Sequence, residues 1–214
     1  MILYKTVMQE AEASQVIEKS KFICTVKPVK TREEATEFFE AIKKKYRDAT
    51  HNVPCMVIGD NSELQWASDD GEPKGTAGPP ILQMLLAEAI TNVALVVTRY
   101  FGGIKLGTGG LVRAYTNTAK LGLEAARAGY MKELVRIAFQ MDYSFLNTVQ
   151  YMAQKSGIFE IEDIKYEDKV IVFFLTESEN MEELELKVAE NTQGTAIKKN
   201  EEFVKKVFDI VPLL

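Results

Sequence analysis

The chain has 214 residues, 46% hydrophobic and 27% charged, a composition that excludes a disordered protein and allows one large or two small packed domains. Two cysteines, Cys24 and Cys55, are too few for a disulfide framework, and no apolar run approaches the ~18 residues a membrane span needs. The net charge of −5 is uneven: residues 1–130 hold 16 basic and 15 acidic side chains, and residues 131–214 hold 10 and 16, so the acidity belongs to the C-terminal third.

The N-terminal segment MILYKTVMQEAEAS lacks the basic-then-apolar pattern of a signal peptide, so a cytoplasmic protein with no membrane partner is expected. Leu3–Glu10 and Phe22–Val29 read as strands, rich in β-branched and aromatic residues. Thr31 predicts a helix N-cap, with Glu34 completing a capping box and the helix running from Arg32 to about Tyr46. Val53–Ile58 and Leu64–Ala67 predict two short strands around the turn at Gly59–Asn61. A helix comes next, from Pro79 or Pro80 to Ile90, proline being tolerated in a first turn. Val93–Tyr100 (VALVVTRY) is a near-continuous apolar run and predicts a central strand. Three- and four-residue spacing over Leu111–Ala128 predicts a further helix, with Gly129 as its stop and a domain boundary near Gly129–Lys132. The remainder reads as strand Leu134–Tyr143, helix Ser144–Ser156 capped by Ser144 and ended by Gly157, strands Glu160–Glu167 and Lys169–Thr176, helix Met181–Asn191, and strand Thr195–Phe208. That βαββαβ order is the ferredoxin-like arrangement. Both domains, 1–130 and 131–214, are expected to be α+β.

Function has to be argued from two glycine-punctuated polar segments, Ser68–Gly78 (SDDGEPKGTAG) and Arg99–Tyr115 (RYFGGIKLGTGGLVRAY). Six of the 13 glycines fall at Gly78 or between Gly102 and Gly110. Glycine at that density, opening a helix beside Lys and Arg, points free N–H groups and positive charge at an anion. The cationic and phosphate-binding candidates are Lys74, Thr76, Arg99, Lys105, Gly107, Thr108, Gly109, Gly110 and Arg113, with Tyr100 as a stacking ring. Arg113, Lys120 and Arg127 fall at i, i+7 and i+14 and would line one helix face; a solvated stripe explains that spacing equally well.

Neither nucleotide signature is present. A P-loop wants Lys immediately before Ser or Thr, whereas Lys105 sits inside the loop, and the dinucleotide fingerprint wants glycine where Val112 stands. His51 is the single histidine, and no serine or cysteine occupies a nucleophile elbow, which argues against covalent hydrolase chemistry. An enzyme would have to use His51 with Asp69 or Asp70. The carboxylates of Asp69, Asp70 and Glu72 suit a Mg²⁺ site on composition, and equally an acidic turn whose oxygens satisfy nearby backbone N–H groups. The second reading is preferred, so no metal and no cofactor is expected.

Asp48–Asn52 (DATHN), Ser68–Gly78 and Arg99–Tyr115 together resemble the signature blocks of the YigZ/Impact family, in that family's spacing. The resemblance covers the whole chain: residues 1–130 are similar to the Impact domain and 131–214 to the small C-terminal domain of bacterial members. It implies a ribosomal protein S5 domain 2-like fold followed by a ferredoxin-like one. That pairing resembles the last two domains of elongation factor G, which suggests contact with RNA or the ribosome. It also implies a role in regulating translation, which in eukaryotic members runs through a regulatory protein partner. The same S5-like fold houses small-molecule kinases with a glycine-rich phosphate loop, so an enzyme reading survives by analogy. A third reading is a protein-interaction module in which the blocks bind no anion.

Overall fold

The computed structural model describes residues 2–209, and its chain divides into two compact units. The first unit is built on Leu3–Met131 and the second on Lys132–Lys206.

The first unit runs β1 (Ile2–Val7), β2 (Ala11–Ile17), β3 (Ser20–Pro28), α1 (Arg32–Lys45), β4 (His51–Ile58), β5 (Leu64–Ala67), α2 (Gly78–Ala87), β6 (Val93–Tyr100) and α3 (Gly107–Ala125). Its sheet is antiparallel in the order β2-β3-β6-β4-β5, which puts β6 in the middle. The apolar run of β6 reflects burial on both faces. Val93, Leu95 and Val97 join Val53, Cys55 and Val57 of β4 in the core beneath α2 and α3. Ala94 and Val96 join Met56, Ile58 and the α1 residues Ala35, Phe38 and Ile42 in a second core on the other face. Alternation along one strand therefore feeds two cores.

The capping box at α1 is present: Thr31 Oγ1 accepts from Glu34 N (3.2 Å), and the Glu34 carboxylate reaches back to Lys30 N (2.7 Å). Three expectations are corrected. Ala11–Ile17 is a strand that the composition hides. It is an edge strand of alternating half-exposed residues, joined to β3 by Glu18 and Lys19, both at positive φ (46° and 64°) without an Asn-Gly signature. The helix in the second glycine segment begins at Gly107, so Gly107, Gly109 and Gly110 form its first turn, while Gly102 and Gly103 stay in the loop before it. It ends at Ala125, and the left-handed residue beyond it is Arg127 (φ 55°). Gly129 lies inside the next strand, β7 (Ala128–Met141). Arg127 therefore stands outside α3, and the expected stripe shortens to Arg113 and Lys120.

The second unit continues with α4 (Leu146–Ser156), β8 (Phe159–Tyr166), β9 (Val170–Thr176), α5 (Met181–Asn191) and β10 (Ile197–Asp209). The five-stranded sheet runs β1-β7-β9-β8 with β10 also paired to β7, and its strands β7, β8, β9 and β10 make the set of a ferredoxin-like βαββαβ domain. Ile137, Phe139 and Met141 of β7 and Val170, Val172 and Phe174 of β9 face Val149 of α4 and Leu184 and Val188 of α5. Ser144 does not cap α4: it falls in a 3₁₀ turn, Tyr143–Phe145, that leads into the helix without a side-chain cap. Gly157 does terminate α4, in the left-handed conformation (φ 69°).

The two cysteines sit deep in the first unit, Cys24 on β3 and Cys55 on β4, and burial pushes both thiols up, Cys55 to about 12. Such thiols lack thiolate character, so native protein at pH 8 should resist iodoacetamide and react fully only on unfolding; rapid native labelling would contradict this packing. Gly122 on α3 lies against β3, and a methyl group there would come within 2.5 Å of Cys24 Sγ and 2.9 Å of Val26 Cγ2. Gly122→Ala should cost roughly 1–3 kcal/mol in a denaturant titration, the range for overpacking. An unchanged midpoint would show that α3 and β3 are not in this contact.

Candidate anion-binding cleft

Strand register builds the core of the site. Arg99 on β6 is paired with Phe22 on β3 and with His51 on β4, so the three side chains form one row across the sheet. Arg99 and Phe22 are buried, and Arg99 is only 5% exposed. The guanidinium carbon lies 5.3 Å from the ring centroids of both Phe22 and Phe101, between two aromatic faces. Its Nη1 donates to Glu72 Oε1 at 2.7 Å and its Nη2 to Ser20 Oγ at 3.3 Å. Nε is buried without a partner.

Glu72 comes from the first glycine segment, and its side chain is 4% exposed. The same oxygen that accepts from Arg99 also accepts from the Tyr115 hydroxyl of α3 (2.7 Å). Burial and that bond push the Tyr115 phenol well above its ordinary range, so it stays a donor. One carboxylate thus joins the Ser68–Gly78 segment, β6 and α3. His51 completes the group: its Nδ1 lies 2.8 Å from the Asp70 carbonyl, and its Nε2 3.8 Å from Glu72 Oε1. A carbonyl only accepts, so Nδ1 carries a proton toward Asp70 and Nε2 is the nitrogen nearer Glu72.

The Asp48–Asn52 segment fastens the far side. Tyr100 donates its hydroxyl to Asp48 Oδ1 (2.9 Å), Thr50 Oγ1 accepts from Phe101 N (3.0 Å), and Asn52 N donates to Asp70 Oδ2 (2.6 Å). Gly102 N donates to Ser20 Oγ (3.2 Å), and a Cβ at Gly102 would come within 2.0 Å of the Lys19 carbonyl. The hairpin tip between β2 and β3 can press on this loop only because residue 102 is glycine.

Above this network lies a cleft of about 460 Å³. His51, Glu72 and Arg99 reach it from below, and Lys105, Gly107 and Thr108 from the mouth of α3, while Pro73, Phe101, Leu106 and Leu111 give it apolar walls. α3 has 19 residues, no side-chain cap and no acidic residue in its first turn. The other helices of the unit are treated differently. α1 has Thr31, Glu33 and Glu34 at its start, and at α2 the Asp69 carboxylate accepts from Ala77 N and Gly78 N, both at 3.0 Å. The first-turn N–H groups and positive dipole end of α3 are therefore available to a ligand.

The structure thus brings Arg99, Lys105, Gly107 and Thr108 into one cleft with His51, and Gly109 and Gly110 continue the same helical turn. It does not bring the rest there. Lys74 is exposed on its loop, Thr76 is buried and donates to the Pro73 carbonyl (2.7 Å), and Tyr100 is turned to Asp48. Arg113 is exposed farther along α3. Asp69 holds backbone N–H groups at Gly75, Ala77 and Gly78, and Asp70 holds Asn52 N, so both carboxylates are engaged structurally. Among the described residues no three His, Cys, Asp or Glu side chains are grouped as metal ligands. Tyr115, and Glu72 as the partner of Arg99 rather than a metal ligand or turn carboxylate, are the central features that sequence reasoning did not place in the site.

The comparisons with known proteins agree on the family. Residues 18–123 match the Impact N-terminal domain, and residues 139–195 match a domain of unknown function. The IMPACT family member YvyE of Bacillus subtilis is 43% identical over 167 residues, 78% of this chain and 76% of the relative. The IMPACT family member YigZ of Escherichia coli is 32% identical over 182 residues, 84% of this chain and 88% of the relative. A solved crystal structure of a hypothetical protein superposes with TM-score 0.58 and 29% identity, covering 92% of this chain and 97% of that one. The chain belongs to the IMPACT family, and its fold is the two-domain α+β arrangement. No helix among the described residues is long and apolar enough to cross a membrane.

Two substitutions probe this network. Glu72→Ala strands a buried guanidinium and should cost roughly 3–5 kcal/mol, against about 1 kcal/mol for Tyr115→Phe, which leaves the ion pair intact. Equal effects in urea titrations would contradict the pairing described. Gly109 has a helical position with no atom within 4 Å of an added Cβ, so Gly109→Ala should stabilise the fold by up to about 1 kcal/mol through helix propensity. A loss of stability there would mean that the fold itself requires this glycine.

Proposed function

We propose that the chain is a non-catalytic, RNA- or ribosome-associated regulator of translation in the cytoplasm, holding phosphate at the cleft where α3 begins. The observation that carries the reading is the uncapped start of a 19-residue helix opening onto a cleft that also holds Lys105 and the incompletely bonded Arg99. The translational role comes from the family resemblance and from the likeness of its two domains to those of elongation factor G.

The engagement of Asp69 and Asp70 with backbone N–H groups supports binding over catalysis, because it removes the carboxylates a phosphate-processing enzyme would pair with His51. Glu72 is neutralised by Arg99 and held by Tyr115, which suits a structural anion better than a proton carrier.

The test is RNA binding by the full chain across a salt series. Lys105→Ala should weaken binding to unrelated RNA sequences alike, and should lower the slope of log K against log salt by roughly 0.7–0.9, one phosphate contact. The near-neutral charge of residues 1–130 predicts a shallow starting slope. Salt-insensitive binding, or phosphoester turnover that disappears in His51→Ala, would overturn this reading.

A further inference from the structure

Resting on that reading of the cleft, we infer that it takes the end of a nucleotide chain, a terminal phosphate with the nucleoside attached, in preference to an internal phosphodiester. Three observations point the same way.

The floor is closed. Glu72, Arg99 and Leu111 are 8%, 5% and 6% exposed and form the bottom of the cleft, tied down by the ion pair and by Tyr115. A chain end that enters from the open side meets this floor. The volume of about 460 Å³ is that of a pocket for one drug-sized molecule, the size class of a mononucleotide.

The lining mixes two chemistries. The first-turn N–H groups of α3 and Lys105 stand beside an arginine whose side chain is only 6% exposed. Pro73, Phe101, Leu106 and Leu111 line the same cleft, and Phe101 is 47% exposed. A phosphate with sugar and base attached presents both.

The charge also favours an end. A phosphate monoester carries about −1.5 to −2 charges at pH 7, whereas an internal diester carries one. Lys105 and the α3 dipole are positive elements beyond the neutral Arg99–Glu72 pair, and charge-assisted bonds to a dianion are the stronger kind. His51 lines the same cleft and adds a polar ring to it.

The experiment compares short single-stranded RNAs of one sequence, labelled internally, as 5′-phosphate, 5′-hydroxyl and covalently closed circle, with nucleoside 5′-monophosphate as competitor. The full chain is used, and its Lys105→Ala variant serves as the control for the cleft. The 5′-phosphate form should bind roughly tenfold more tightly than the other two, the order expected of charge-assisted bonds to one terminal group. The monophosphate should displace it, and Lys105→Ala should narrow the gap. Equal binding of all three RNAs would overturn the inference while leaving RNA binding intact. Binding of the monophosphate with no RNA bound in any form would support the terminal-phosphate site, with a free nucleotide as its source, and would overturn the RNA reading instead. Failure of both ligands to bind would overturn both.

Discussion

A single buried ion pair, Arg99 to Glu72, decides where the glycine segments of this protein lie. Neither charge is stable in the interior alone, since desolvation of each costs several kcal/mol. Arg99 is fixed by strand register between Phe22 and His51, so Glu72 must come to it and bring the Ser68–Gly78 segment along. Tyr115, two turns into α3, then ties that helix to the same carboxylate. The pair is better understood as a device for location than as a source of stability, because a well-packed apolar pair of similar volume would often be at least as stable.

That placement leaves the helix ends unequal. At α1 and α2 the N-termini are satisfied by side chains of the chain itself, Thr31 and Glu34 at the first and Asp69 at the second. α3 has neither cap nor acid, and it begins at the cleft beside Lys105 and Arg99. In the proposed reading, compensation at α3 comes from a bound anion, which would give the family's glycine-rich block a chemical meaning. The acidic balance of residues 131–214 opposes general polyanion binding by the rest of the molecule.

Much of this fold was legible in the residues. The capping box at Thr31 and Glu34, the double-sided burial of Val93–Tyr100 and the stop at Gly157 each obey a local rule that tertiary structure left alone. Strand β2 was hidden because an edge strand of Ala, Glu and Ser has no apolar face to announce it. The start of α3 was misplaced because Gly-Thr-Gly-Gly has poor helix propensity, and contacts distant in sequence hold it in place. Arg127 takes the left-handed turn that glycine two residues later advertised. The cleft was legible in part: Lys105, Gly107 and Thr108 are local to one block, whereas the row of Phe22, Arg99 and His51 exists only through strand register. Arg99 reads from sequence as a free cation, and only the fold shows it committed to Glu72.

The first-turn amides of α3 are, on this account, donors awaiting an anion. The most direct measurement is a titration of ¹⁵N-labelled protein with inorganic phosphate at low ionic strength, following the backbone amide signals by NMR. The signals of Gly107, Thr108 and Gly109 should move together and saturably, at concentrations where chloride leaves them in place. Fixed signals at those three residues, with phosphate shifting other amides or none, would contradict the account.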